Sequence, residues 1–153
     1  MFHPWSLVIP LMILLPNLIF FKYPPQNMPS GNNNSLILTA AEGIGRIGVL
    51  IVPVFYTMHI HETYEIISLI VMVLSLLMYY LLWVRYFRNN REFNWLYSPI
   101  MGVPVPLAIF PILYFLFSSV VIHSLYQFIF SLIFAVGHIP NSISDYARSK
   151  RSG

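Results

Sequence analysis

The chain has 153 residues, of which 58% are hydrophobic and only 8% charged, with a mean hydropathy of +0.72 and a net charge of +3. Soluble domains carry about 25% charged residues because their surface must face water, so a solvated globule is excluded, as are a disordered chain and a polyelectrolyte grip on nucleic acid. The absence of cysteine removes disulfides, thiolate metal sites and thiol catalysis, and the class that remains is an integral membrane protein.

A bilayer core about 30 Å thick takes roughly 20 apolar residues per helix. The first candidate span covers residues 5–21, followed by Lys22 and a turn-rich tract containing Pro24, Pro25, Pro29, Gly31 and Asn32. It lacks a basic leader and a small-residue cleavage site and carries Pro4, Pro10 and Pro16, so it reads as a retained span, not a secretory signal. The second span, 36–57, contains Glu42 and Arg46, whereas the third, 64–86, is apolar all round. A dense charge cluster then occupies residues 85–95. The apolar stretch 98–139 has 42 residues and would be about 63 Å long as one helix, too long for a single crossing. Dividing it near residues 118–124 gives spans 98–118 and 120–139, followed by a short polar tail, 140–153, with a basic end. In that tail Ile139, Ile143 and Tyr146 are spaced for a short interfacial turn.

The expected fold is therefore all-α, a single polytopic membrane helix bundle of about five transmembrane helices. The positive-inside rule sets its orientation. Arg85, Arg88 and Arg91 place the third loop in the cytoplasm, and alternation then puts Lys22, Arg148, Lys150 and Arg151 on the same side, with the N-terminus outside. The loops expected outside, 58–63 and 118–124, contain no Lys or Arg. A four-span reading would export the basic tail. The expected location is the cell membrane, with the lipid bilayer as the first partner.

Glu42 and Arg46 stand four apart and so share one face of a helix, the acid nearer the cytoplasm. A charge at the bilayer centre costs about 2.5–3.5 kcal/mol on insertion scales, so this face should point into the bundle or a wet cavity. Three readings follow: an ion pair that fixes helix packing, a site for a substrate, ion or proton, or a lone ion pair that snorkels. The same segment holds Gly43, Gly45 and Gly48, a literal G-x-G-x-x-G, but no strand or soluble βαβ unit surrounds it. Ala41, Gly45 and Gly48 form instead a small-residue stripe that lets another helix approach and supply partners to the charged pair. Pro53 is placed to kink the outer third of the span.

His3, His59, His61 and His123 all fall at the expected outer face, with Glu62 and Glu65. Imidazole and carboxylate are suitable ligands for zinc, copper or iron, and His59, His61 and His123 form a candidate metal set. The spacing is not that of a metalloprotease helix. Interfacial loops also tolerate histidine for its amphipathic ring, and its titration near neutrality allows a pH-sensing role. His138, before Pro140, reads as a boundary residue.

The fourth span opens with Pro99, Gly102, Pro104 and Pro106, and Pro111 follows one turn on. Proline disfavours helix in the preceding residue. The segment is either a broken helix bordering a binding site, where freed carbonyls meet a ligand, or an interfacial approach that becomes helical only after Pro106. Tyr126 and Gln127 are candidates for a polar interior.

The functional reading is a small multi-pass protein, non-enzymatic, that binds or passes a small ligand or ion at a polar site formed by Glu42, Arg46, Gly45, Pro104 and Pro106. The alternatives are a structural subunit packed against another membrane protein or a second copy of itself, and a membrane-embedded metal or haem protein using His59, His61 and His123. No catalytic constellation is visible, and the sequence names no cofactor.

Overall fold

The computed structural model describes residues 3–26, 34–100 and 102–151, so most of the turn-rich tract between the first two spans lies outside the described residues. Everything regular in it is helical. The elements are α1 (Val8–Lys22), α2 (Leu36–Ile51), α3 (Thr63–Arg88), the short α4 (Asn94–Tyr97), α5 (Pro106–Val121) and α6 (Leu125–Arg151). Short 3-10 turns, Pro4–Leu7 and Val52–Phe55, lead into α1 and out of α2. Among the described residues the extended chain forms a single isolated bridge, between Ile100 and Val103.

Four of these units are long and apolar enough to cross a membrane: Pro4–Lys22, Leu36–Phe55, Thr63–Arg88 and Leu125–Arg151, counted among the described residues. Helix α5 is apolar but has 16 residues, about 24 Å of rise. The sequence placed this helix over 98–118. It starts instead at Pro106, because Gly102 at φ +81° and Val105 at φ +40° hold residues before it in left-handed conformations, and proline at the first helical position needs no N–H partner. The break from α5 to α6 falls at residues 122–124, with His123 at φ +50°. At the other end, α6 does not stop before Pro140 as expected; the helix carries 140–151 as well. Loss of one backbone hydrogen bond at Pro140 is offset there by burial of Asn141 and Ser142 and by the Asn141 side chain's bond to Glu42. Pro53 ends the α-helical part of α2 by tightening it into the 3-10 turn.

Five helices run alternately between two ends of the bundle. At one end His3 N–H donates to the Val54 carbonyl (2.9 Å), and His59 N–H donates to the Val121 carbonyl (2.7 Å). At the other, Gln26 N–H donates to the Arg91 carbonyl (3.2 Å), and the Tyr86 hydroxyl donates to the Tyr23 carbonyl (3.3 Å). Arg85 crosses to Ser98 at this second end and lies 4.5 Å from the Trp95 ring centre.

Two helix pairs form the centre. The first is α3 on α5, with Met72, Leu82, Ile112 and Phe115 buried between or beside them. The second is α2 on α6, where packing is closest. A Cβ placed on Gly45 would overlap the Phe134 backbone, and one on Gly137 would overlap the Glu42 and Leu38 backbone. These glycines are required because the two backbones touch. By contrast Gly43 faces open space.

Prolines leave carbonyls unpaired four residues earlier, and in a dry interior those need other donors. Pro16 removes the donor for the Met12 carbonyl, which instead accepts from the Tyr80 hydroxyl at 2.7 Å. Pro53 does the same to the Val49 carbonyl, which faces Gln127 Nε2 at 3.5 Å. Tyr114 donates to the Ile9 carbonyl at 3.1 Å. Tyrosine hydroxyls thus fasten α1 to α3 and α5. Gln127 is fully buried and bonds Ser118 at 3.1 Å, whereas its neighbour Tyr126 is 63% exposed and takes no part in that interior. Most side chains turned outward from α1, α2, α3 and α6 are apolar, among them Leu18, Ile47, Leu74 and Val136, as a hydrocarbon environment requires.

Candidate functional site

Helical spacing places Glu42 and Arg46 one turn apart on α2, and Phe134, His138 and Asn141 on one face of α6. The glycine contact between the two helices draws these faces together. Glu42 Oε1 accepts from Arg46 and lies 2.9 Å from His138 Nδ1, while Glu42 Oε2 accepts from Asn141 Nδ2 at 2.6 Å. An ionised carboxylate only accepts, so His138 presents its N–H through Nδ1. The Phe134 ring stacks on His138 with centroids 4.7 Å apart and 12° between planes, and Arg46 lies 5.8 Å from the same ring centre.

The pair is asymmetric. The Glu42 side chain is 17% exposed and that of Arg46 53%. Glu42 is therefore embedded in the α2–α6 seam with three donors, and Arg46 projects beyond it. It projects along a cavity of about 430 Å³ enclosed by α1, α2, α3, α4, α5 and α6. Among the described residues, Arg46 is the only Lys, Arg, Asp or Glu in its lining. Polar groups on the wall include Asn17, Tyr79 and His138, with Asn17 Nδ2 donating to the Tyr79 hydroxyl at 3.1 Å. Trp83, Leu107 and Phe115 supply apolar walls. That volume and mixture match a small-molecule site, which is typically concave, mostly apolar and furnished with a few polar groups.

Of the residues the sequence singled out, Arg46 lines the cavity directly and Glu42 stands behind it. Gly45 does not reach the cavity; it faces the backbone of Phe134 and brings α6 close. Pro104 is exposed and Pro106 is buried at the first position of α5. Neither lines the cavity, whose α5 wall is made by Leu107, Pro111 and Phe115. The reading of 98–105 as an approach that becomes helical only from Pro106 agrees with the observed start of α5. Of the partners of Glu42 on α6, His138 was read from sequence only as a boundary residue, and Asn141 was not singled out. The usable signal was the spacing of Phe134, His138 and Asn141, which continues one helix face through Pro140.

A second polar cluster closes the histidine end. Glu65, 2% exposed at the start of α3, accepts from the backbone N–H groups of His61 (2.7 Å) and Glu62 (2.9 Å), and its Oε1 lies 2.6 Å from His123 Nε2. His59 stacks on His123 with centroids 4.4 Å apart and 11° between planes. His61 contributes its backbone to this arrangement while its side chain is exposed. His59, His61 and His123 are thus close in the fold without converging. Among the described residues no group of three His, Cys, Asp or Glu side chains is arranged to hold a metal ion. The chemistry of the cluster is that of a clasp, tying the loop before α3 to the α5–α6 turn.

These features define the class: a helical bundle with several helices apolar enough to cross a membrane, and a largely apolar cavity with one arginine on its wall. The chain matches no protein-family model, no curated protein and no solved structure.

Proposed function

We propose that this is a five-span membrane protein that binds a small ligand within the bilayer, in the cavity lined by Arg46. The carrying observation is the division of labour in the charged pair: Glu42 is satisfied inside the α2–α6 seam, whereas half-exposed Arg46 faces a cavity of about 430 Å³. An arginine serving packing alone would be expected within the seam with its partner. The five crossings are supported by the alternation of helices between two ends, one carrying Lys22, Arg85, Arg88 and Arg91 and the other free of Lys and Arg over 3–6, 54–65 and 119–124. Helix α5 is shorter than the usual span, a mismatch that local thinning or the segment before it accommodates.

The test is native mass spectrometry of the protein released from the membrane in which it is produced. The wild-type protein should retain a small molecule, and Arg46→Met should lose it while keeping its helix content and monodispersity. A wild-type protein released without any small molecule, or a folded Arg46→Met variant carrying the same one, would rule the reading out.

A further inference from the structure

We infer that the ligand of this cavity is an anionic amphiphile, with an acidic head held by Arg46 and an apolar chain admitted sideways from the bilayer between α1 and α2. The inference rests on the proposed reading of the cavity as a ligand site and adds the chemical class of what it holds.

The head follows from the hydrogen-bonding capacity of the wall. Among the described residues, no carboxylate lines the cavity. Arg46 has five N–H donors and uses one nitrogen on Glu42. Tyr79 accepts from Asn17 through its oxygen, which leaves its own proton to donate. With Nδ1 given to Glu42, neutral His138 offers an accepting Nε2, and Asn17 Oδ1 is the other acceptor, while Trp83 adds an N–H donor. Donors thus predominate at this wall, and the group that satisfies several donors with no proton of its own is a carboxylate or phosphate oxygen. Such a head does not strand Glu42 when it draws the guanidinium away, because His138 and Asn141 still donate to both carboxylate oxygens.

The body and the route follow from burial. Beyond Arg46 the wall is Ile13, Leu50, Leu107 and Phe115, which offer an acyl chain contact and no hydrogen bonds, with the Trp83 ring adding an apolar face and one N–H donor. Among the lining residues only Phe21 of α1 and Arg46 of α2 are exposed. The cavity therefore reaches the surface along the seam between these helices. Their outward faces there are apolar, with Leu15, Leu18, Ile44 and Ile47 all exposed. A seam with such flanks lies against hydrocarbon, so the molecule that enters it is one already dissolved in the bilayer, whose head moves in along the seam from the interface to Arg46.

The chain has three tryptophans, Trp5, Trp83 and Trp95, and Trp83 lies in the cavity wall. A Trp5→Phe/Trp95→Phe variant in zwitterionic nanodiscs makes Trp83 the sole reporter. Titration with a brominated fatty acid should quench it saturably, at a concentration about tenfold lower than the brominated alcohol of equal chain length, the worth of one charge-assisted contact. The acid's advantage should vanish in Arg46→Gln and persist in Arg46→Lys, which shows that the charge and not the fold is responsible. A companion variant keeping only Trp5, 86% exposed, should show unsaturable quenching from bulk lipid. Equal, saturable quenching by acid and alcohol overturns the anionic head and leaves the cavity a ligand site. Displacement of the brominated acid by acetate overturns the amphiphile in favour of a free anion. No saturable quenching of Trp83 by either probe overturns this inference and the proposed function together.

Discussion

Glu42 meets three donors from two helices, and Arg46 meets one carboxylate and open space, so the two halves of this ion pair should respond differently to removal. Glu42→Leu strands Arg46, His138 and Asn141 at once, and unpaired polar groups in a dry seam should cost about 1–3 kcal/mol. Arg46→Met leaves Glu42 with His138 and Asn141 and removes the less buried half of the pair, so its cost should be smaller than that of Glu42→Leu. Reversible unfolding in mixed micelles measures both. Equal losses would mean that the pair acts as a packing device and that Arg46 has no separate task. The i, i+4 spacing made the pair legible in the sequence, and scarcity of charge marked it as requiring a reason. Its other partners were not legible, because His138 and Asn141 flank Pro140, where a helix is expected to end. Only the pairing of α2 with α6 reveals them. The outer histidines illustrate the converse. Their nearness in sequence and at one face was legible, but Glu65 uses backbone N–H groups and one imidazole, and no spacing rule encodes a ring stacked on another ring.

At the scale of elements, glycine placement decides whether the site exists. Gly45 and Gly137 sit where α2 and α6 touch, and Gly43, on the same helix as Gly45, faces open space. Gly43→Ala should be neutral or stabilising by up to about 1 kcal/mol through helix propensity. Gly45→Ala and Gly137→Ala should each cost about 1–3 kcal/mol by overpacking, and the displaced helix should carry His138 and Asn141 away from Glu42. Unfolding of the three variants side by side gives the order; a Gly43→Ala loss as large as that of Gly45→Ala would contradict the close approach. Residues 41, 45 and 48 were recognisable as a small-residue stripe from sequence. Which helix used it was not, since Gly137 stands alone among larger neighbours and no repeat pairs it with α2. The long apolar run 98–139 was likewise divisible on length alone, but its first helix begins at Pro106 and its last ends at Arg151, because left-handed residues at 102 and 105 delay the start and tertiary bonds to Asn141 sustain the end.

For the molecule as a whole, charge and connectivity support the proposed orientation, which labelling can test. The end with Lys22 and Arg85–Arg91 concentrates basic residues, and the end built from residues 3–6, 54–65 and 119–124 has none. On the proposed five-span reading, the positive-inside rule would place the basic end in the cytoplasm. Five crossings would then put the N-terminal histidine on the opposite side from the C-terminal basic cluster of Arg148, Lys150 and Arg151. The chain has no cysteine of its own, so each introduced thiol reports one position without background. In intact cells, His61→Cys should react with a membrane-impermeant maleimide, because His61 is exposed in the loop before α3. Arg88→Cys, exposed at the opposite end of that helix, should react only after permeabilisation. Lys150→Cys at the end of α6 should follow Arg88, not His61. If Lys150→Cys labels from outside while Arg88→Cys does not, α5 and α6 together make a single crossing and the five-span arrangement fails. The cavity enclosed by α1 to α6 would survive that result, since its walls are fixed by packing. Its level in the bilayer would not, because a head group bound at Arg46 would take its depth from where the two ends of α2 emerge.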